Sequence, residues 1–220
     1  MKLLLTSGGI TNGTIKNALA DLIGKPFSET SLAFIPTAAD VEDHDKSWLV
    51  NDLNNCKNLG LKLLDIVDIS ALSKEQWEPR LQSADILFFG GGNTFHLMYW
   101  INKSGLAKKL PGLLKTKVYV GLSAGSMVAG KTISLSDSKK LYYEDIKGYQ
   151  GEKVLGFVDF QIRPHLNSPH FPDVQEKKLR KLAKNAKEKV YAIDDNMAIK
   201  VVDCKVEVVG EGKYLILNSK

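Results

Sequence analysis

The sequence is poor in the residues that build metal sites and disulfide frameworks. Of its 220 residues two are cysteines, Cys56 and Cys204, far apart and in no C-x-x-C pair, and four are histidines. Such sparse cysteine usage excludes a disulfide scaffold and fits reduced, structural thiols. No histidine or cysteine pair has metal-ligand spacing, so no metal or other cofactor is expected. Long apolar runs are missing too. The opening Met1-Lys2-Leu3-Leu4-Leu5 is too short for a signal-peptide core and lacks a cleavage site, and no stretch approaches the roughly 20 apolar residues of a membrane span. The expected compartment is the cytoplasm, with no membrane partner. Charge of one sign is also in small excess: 30 basic residues against 25 acidic ones leave +5. The densest run, Glu176 to Lys189, sets its lysines among Leu179, Leu182 and Ala186 at helical spacing. It reads as the outer face of an amphipathic helix, and no nucleic-acid partner is expected.

What is present is enough apolar content, 44%, to bury one core. The expectation is a single α/β domain over residues 1–220. Short apolar runs of buried-strand character alternate with stretches of helical period, which argues for a mostly parallel sheet with helices on both faces. Strands are expected at Lys2–Thr6, Leu32–Ile35, Leu61–Val67, Ile86–Phe89, Val118–Val120, Phe157–Ile162 and Val190–Ile193. Helices are expected at Thr14–Ile23, Lys46–Leu59, from Ser73 to about Leu81 behind a capping box, at Thr94–Asn102 and at Leu106–Leu114. Residues 131–149 read as a hairpin or long loop. Ile199–Val209 and Tyr214–Leu217 read as a C-terminal antiparallel hairpin.

Two strand ends carry the chemistry. Val118–Val120 runs into Gly121-Leu122-Ser123-Ala124-Gly125, and a G-x-S-x-G between strand and helix is a nucleophile elbow, with Ser123 on a strained turn above the sheet. The glycines keep the turn free of bulk, and the N–H of Ala124 is a natural oxyanion donor. Ile86–Phe89 runs into Gly90-Gly91-Gly92-Asn93. Its backbone can approach a ligand closely, so Gly91 or Gly92 is the expected second donor. A phosphate-binding turn is the rival reading, without the G-x-G-x-x-G or G-K-[ST] context it needs. Asn93, closing the run, is a candidate for substrate binding.

A seryl nucleophile needs a base. His44 lies in a polar acidic stretch and His96 opens a helix, whereas His165 follows a strand and should share the edge with Ser123; His170 is the reserve. Asp194, Asp195 and Asp137 are candidates for the orienting acid. Arg163, two residues before His165, should share its face and could pair with a substrate carboxylate.

Taken together, Ile35-Pro36-Thr37-Ala38, Phe89-Gly90-Gly91-Gly92-Asn93-Thr94-Phe95, Gly121-Leu122-Ser123-Ala124-Gly125, Pro164-His165 and Ala192-Ile193-Asp194-Asp195 resemble the aspartyl dipeptidase (peptidase E) family of serine peptidases. The resemblance covers most of the chain. It implies a flavodoxin-like, class I glutamine amidotransferase-like fold and a serine peptidase with Ser123 as nucleophile, His165 as base and an acid at Asp195. It also implies Ala124 and the glycine loop as oxyanion hole. The family often has Glu where Asp195 stands, and a neutral polar residue where Arg163 stands. The expected function is hydrolysis of short peptides, including dipeptides with an N-terminal acidic residue, through an acyl-enzyme; the partner is a small peptide, and a homo-oligomer is left open. The rivals are an α/β-hydrolase esterase, whose acid would fall between Ser123 and His165 at Asp137, Asp145 or Asp159, and a silent ligand-binding domain of the same fold.

Overall fold

The computed structural model describes residues 1–144, 151–184 and 186–218. In chain order they form β1 (Lys2–Thr6), α1 (Gly13–Ile23), β2 (Ser31–Ile35), α2 (Ser47–Lys57), β3 (Leu63–Ile66), α3 (Lys74–Ser83), β4 (Ile86–Phe89), α4 (Thr94–Lys103), α5 (Leu106–Leu113), β5 (Val118–Leu122) and α6 (Ala124–Met127). There follow α7 (Leu135–Tyr142), β6 (Gln161–Arg163), α8 (Glu176–Ala183), β7 (Val190–Ile193), β8 (Met197–Val202), β9 (Lys205–Gly210) and β10 (Tyr214–Leu217). A seven-stranded sheet has the order β3-β2-β4-β5-β1-β8-β9. Its first five strands run parallel, and β8 and β9 close it antiparallel. The flavodoxin-like, mostly parallel arrangement read from the sequence is therefore the one found.

Side-chain alternation explains why the parallel strands look apolar throughout. Leu3, Leu5, Ala33, Ile35, Leu87, Phe89 and Tyr119 face one layer, with Trp77, Leu97, Ile101 and Leu110 from α3, α4 and α5. Leu4, Leu32, Phe34, Ile86, Phe88 and Val120 face the other, with Ile15, Leu19, Leu22 and Cys56 from α1 and α2. A strand covered on both faces has no polar side to show. At the start of α3 the capping box closes as read: the Ser73 side chain takes a backbone N–H at Gln76, and the Gln76 side chain returns to the Ser73 N–H.

Three expectations are corrected. The stretch expected as a loop contains α7, capped by the Ser134 hydroxyl accepting from the Asp137 N–H at 3.3 Å; residues 145–150, including Asp145, lie outside the described residues. The strand expected over Phe157–Ile162 is confined to β6, which pairs in parallel with β7 in a separate three-stranded sheet of order β10-β7-β6. The C-terminal hairpin exists, but its two strands are β8 and β9, turning at Asp203 and Cys204, while β10 crosses to pair with β7. That turn leaves Cys204 exposed, whereas Cys56 is buried and its thiol is pushed up to about 12 by desolvation.

Candidate active site

Ser123 stands between β5 and α6 with φ 47° and ψ −105°, a conformation outside the regions open to a residue with a side chain. Such a backbone costs of order 1–3 kcal/mol and persists only where the surroundings impose it. They do so here. The Ser123 N–H donates to the Thr6 carbonyl at 3.1 Å, and the Ser126 hydroxyl spans the Thr6 and Gly121 carbonyls at 2.7 and 2.9 Å. A Cβ on Gly121 would lie 2.6 Å from the Gly125 backbone, and one on Gly125 would lie 2.1 Å from the Phe89 carbonyl oxygen. The two glycines of the pentapeptide are thus what lets α6 press onto β4 and β5.

His165 arrives from the other sheet. β6 ends at Arg163, Pro164 breaks the strand, and His165 turns with φ 65° so that its ring swings toward the elbow. Its Nε2 lies 2.8 Å from Ser123 Oγ and its Nδ1 lies 2.6 Å from Asp195 Oδ1. Phe171 stacks on the imidazole with ring centroids 4.4 Å apart, closing one face to water. Asp195 lies two residues past the end of β7. Burial acts to raise its carboxyl, but the hydrogen bonds and charge of His165, with the Ser7 hydroxyl, outweigh it and hold Asp195 at about 2.

Ser7, at the end of β1, ties these parts together. Its hydroxyl donates to Asp195 Oδ1 at 2.8 Å and accepts from the His165 backbone N–H at 2.7 Å. Sequence reasoning did not assign it a role. The signal available was its place in a Ser-Gly-Gly turn at the same sheet edge as Ser123.

The three side chains open into a cleft of about 660 Å³, lined among others by Gly91 and Gly92 and by one face of α2. Gly92 has φ 120°, and a Cβ there would lie 2.3 Å from the Ala38 carbonyl oxygen, so only glycine fits. Among the described residues, the N–H groups of Gly91, Gly92 and Ala124 have no protein acceptor.

The profile of peptidase family S51 matches residues 3–209. The chain belongs to that family. An uncharacterised peptidase of Listeria monocytogenes is 29% identical over 174 residues, covering 77% of this chain and 80% of that one. Peptidase E of Nostoc is 30% identical over 202 residues, 89% of this chain and 76% of that protein. The solved structure of a protein assigned to peptidase E from Listeria monocytogenes EGD-e superposes with a TM-score of 0.76 at 24% identity, over 96% of this chain and 98% of that one, a likeness of fold. As an S51 member the chain is a serine-type peptidase. Among the described residues no helix is long and apolar enough to cross a membrane.

Not every residue singled out from the S51 sequence reaches the cleft. Asn93 is spent on the helix it precedes, its side-chain oxygen accepting from the Phe95 and His96 N–H groups at 3.1 Å each. Asp194 accepts from the Asn196 and Lys213 N–H groups and holds a turn. Arg163 is buried away from the cleft, where its guanidinium meets Asp137 at 3.3 Å and Gln161 at 3.0 Å. Two-residue alternation does not carry it to the face of His165, because the strand ends between them. Of the other histidines, His44 is exposed, His96 is half-buried with its pKa lowered by desolvation, and His170 lines the cleft without touching the serine.

The Arg163–Asp137 pair makes a prediction of its own. Arg163→Ala removes a buried guanidinium from the half-buried Asp137 and the buried Gln161 and should cost about 1–3 kcal/mol of stability, read as a lowered urea midpoint. KM for acidic and neutral peptides should change alike, since the guanidinium is remote from the cleft.

Proposed function

We propose that the chain hydrolyses short peptides by acyl transfer through Ser123, His165 and Asp195. The observation that carries this reading is the unbroken relay from Ser123 Oγ through both ring nitrogens of His165 to Asp195, at 2.8 and 2.6 Å, at the head of the cleft. His165 Nε2 takes the seryl proton as Oγ attacks the peptide carbonyl, and the ionised Asp195 holds the ring in the tautomer with its proton on Nδ1 and stabilises the imidazolium that forms. The unpaired N–H groups of Ala124 and of Gly91 or Gly92 receive the developing oxyanion. His165 then protonates the departing amine, and water attacks the acyl-enzyme with His165 again as base. Chain order supports a peptidase of this fold over an α/β-hydrolase: the acid in contact with the histidine comes after it, and Asp137 is occupied by Arg163. A fluorophosphonate probe is expected to modify the protein once, at Ser123, and to fail on His165→Ala. Stoichiometric modification at another serine would overturn the assignment.

A further inference from the structure

The net basic chain has an acidic cleft. Glu42, Asp45, Asp52 and Glu144 line it besides Asp195, and among the described residues no Lys or Arg does; the imidazoles of His165 and His170 are its basic groups. Glu144 is the most telling of these acids. It is buried, with Oε1 taken by the Thr94 N–H at the start of α4. Its Oε2 has no hydrogen-bond partner among the described residues, for the nearby Ser138 hydroxyl favours the ionised carboxylate without completing a bond to it. A buried carboxylate oxygen left unpaired is costly unless something fills the position in the working state. Asp52, on the inner side of α2, likewise has no cationic partner among the described residues.

We propose that this cleft selects cationic peptides, those carrying a Lys or Arg side chain, with Glu144 and Asp52 as the carboxylates that meet the charge. The inference deepens the peptidase reading and rests on it for the scissile bond, though not for the binding. Glu144 supplies a fixed, desolvated oxygen, and the further negative charge of Asp52, Glu42 and Asp45 along the cleft repels an acidic side chain. Burial pushes the carboxyls of Glu144 and Asp52 each up to about 7 in the free protein, the behaviour expected of acids that lack a counter-charge. An ammonium or guanidinium brought into the cleft beside them favours the ionised form. The selectivity is therefore opposite in sign to a preference for an N-terminal acidic residue.

The test is a dipeptide panel with Lys, norleucine or Asp at either residue and Leu at the other. Lys peptides should exceed their norleucine counterparts in kcat/KM by at least about tenfold, the effect of one charge-assisted hydrogen bond, and Asp peptides should be the poorest. Glu144→Gln and Asp52→Asn, on separate elements, should each shrink the Lys-to-norleucine ratio. Equal rates for Lys and norleucine peptides, or a preference for Asp, with hydrolysis still dependent on Ser123 would overturn the inference and leave the peptidase reading intact. If no peptide is cleaved, the peptidase reading falls and the Kd of the Ser123→Ala protein for the same dipeptides decides the inference: tighter binding of the Lys members sustains it, and indifference to charge overturns it.

Discussion

Ser123→Ala is expected to lower kcat by about 10⁴-fold or more on any peptide the protein cleaves, as removal of a nucleophile acting in a unit does elsewhere. The fold should survive, because the elbow is held by backbone and by Ser126. The Ser123 N–H bond to Thr6 and the Ser126 hydroxyl bonds to Thr6 and Gly121 need no Ser123 side chain. Alanine inherits the strained φ of 47° and should melt where the parent does, whereas Ser123→Gly escapes the strain and should melt higher. The comparison of kcat and Tm across the three proteins separates chemistry from architecture. More than a tenth of the parent's kcat remaining in the alanine variant would end the assignment of the nucleophile.

Asp195→Asn should reduce kcat by roughly 10²–10⁴-fold, because an amide presents the wrong group to Nδ1 and leaves the imidazolium without its anion. Asp137→Asn should leave kcat near that of the parent but lower stability, since it weakens the partner of the buried Arg163. The two single variants thus trade places between assay and urea melt, and the reverse outcome would make Asp137 the working acid. The pH dependence has a definite sign. The Asp195 carboxyl is depressed in the folded state, so its stabilising effect is complete above the ordinary carboxylate range near pH ~4. It is lost as the pH falls toward about 2. Asp195→Asn should therefore flatten the acid limb of the stability curve in that window.

The portions of this site that could be read from sequence are those fixed by local geometry. Gly121-Leu122-Ser123-Ala124-Gly125 declares itself because a tight strand-to-helix turn tolerates nothing larger at its ends, and His165 and Asp195 because each lies two residues past the end of a buried strand. The apolar runs also sorted strands from helices on both faces of the main sheet. What escaped depends on contacts between distant residues or on where regularity stops. Arg163 seemed to share the face of His165, but alternation is a property of a continuing strand and Pro164 ends it. Asn93 has the composition of a polar ligand-binding residue and the position of a helix cap, and position decided. α7 offers few apolar positions in a run of Ser, Asp and Lys, too weak a period to announce a helix. Ser7 lies 158 residues from His165 and 188 from Asp195, so nothing local marks its role.

That seryl hydroxyl at the tip of β1 also sets an order of events during synthesis. β1 is the first strand made, yet its neighbours in the sheet are β5 and β8, and its last side chain before the Gly-Gly turn waits for His165 and Asp195. A nascent chain that has just emerged past Met127 carries Ser123 without His165, Asp195 or the strands that seat them. Pairings across such sequence separations are slow to form, and the ribosome adds only about 5–20 residues each second. With Ser123, His165 and Asp195 as the proposed working residues, hydrolysis waits until Asp195 has been made, 188 residues after Ser7, a delay set by topology.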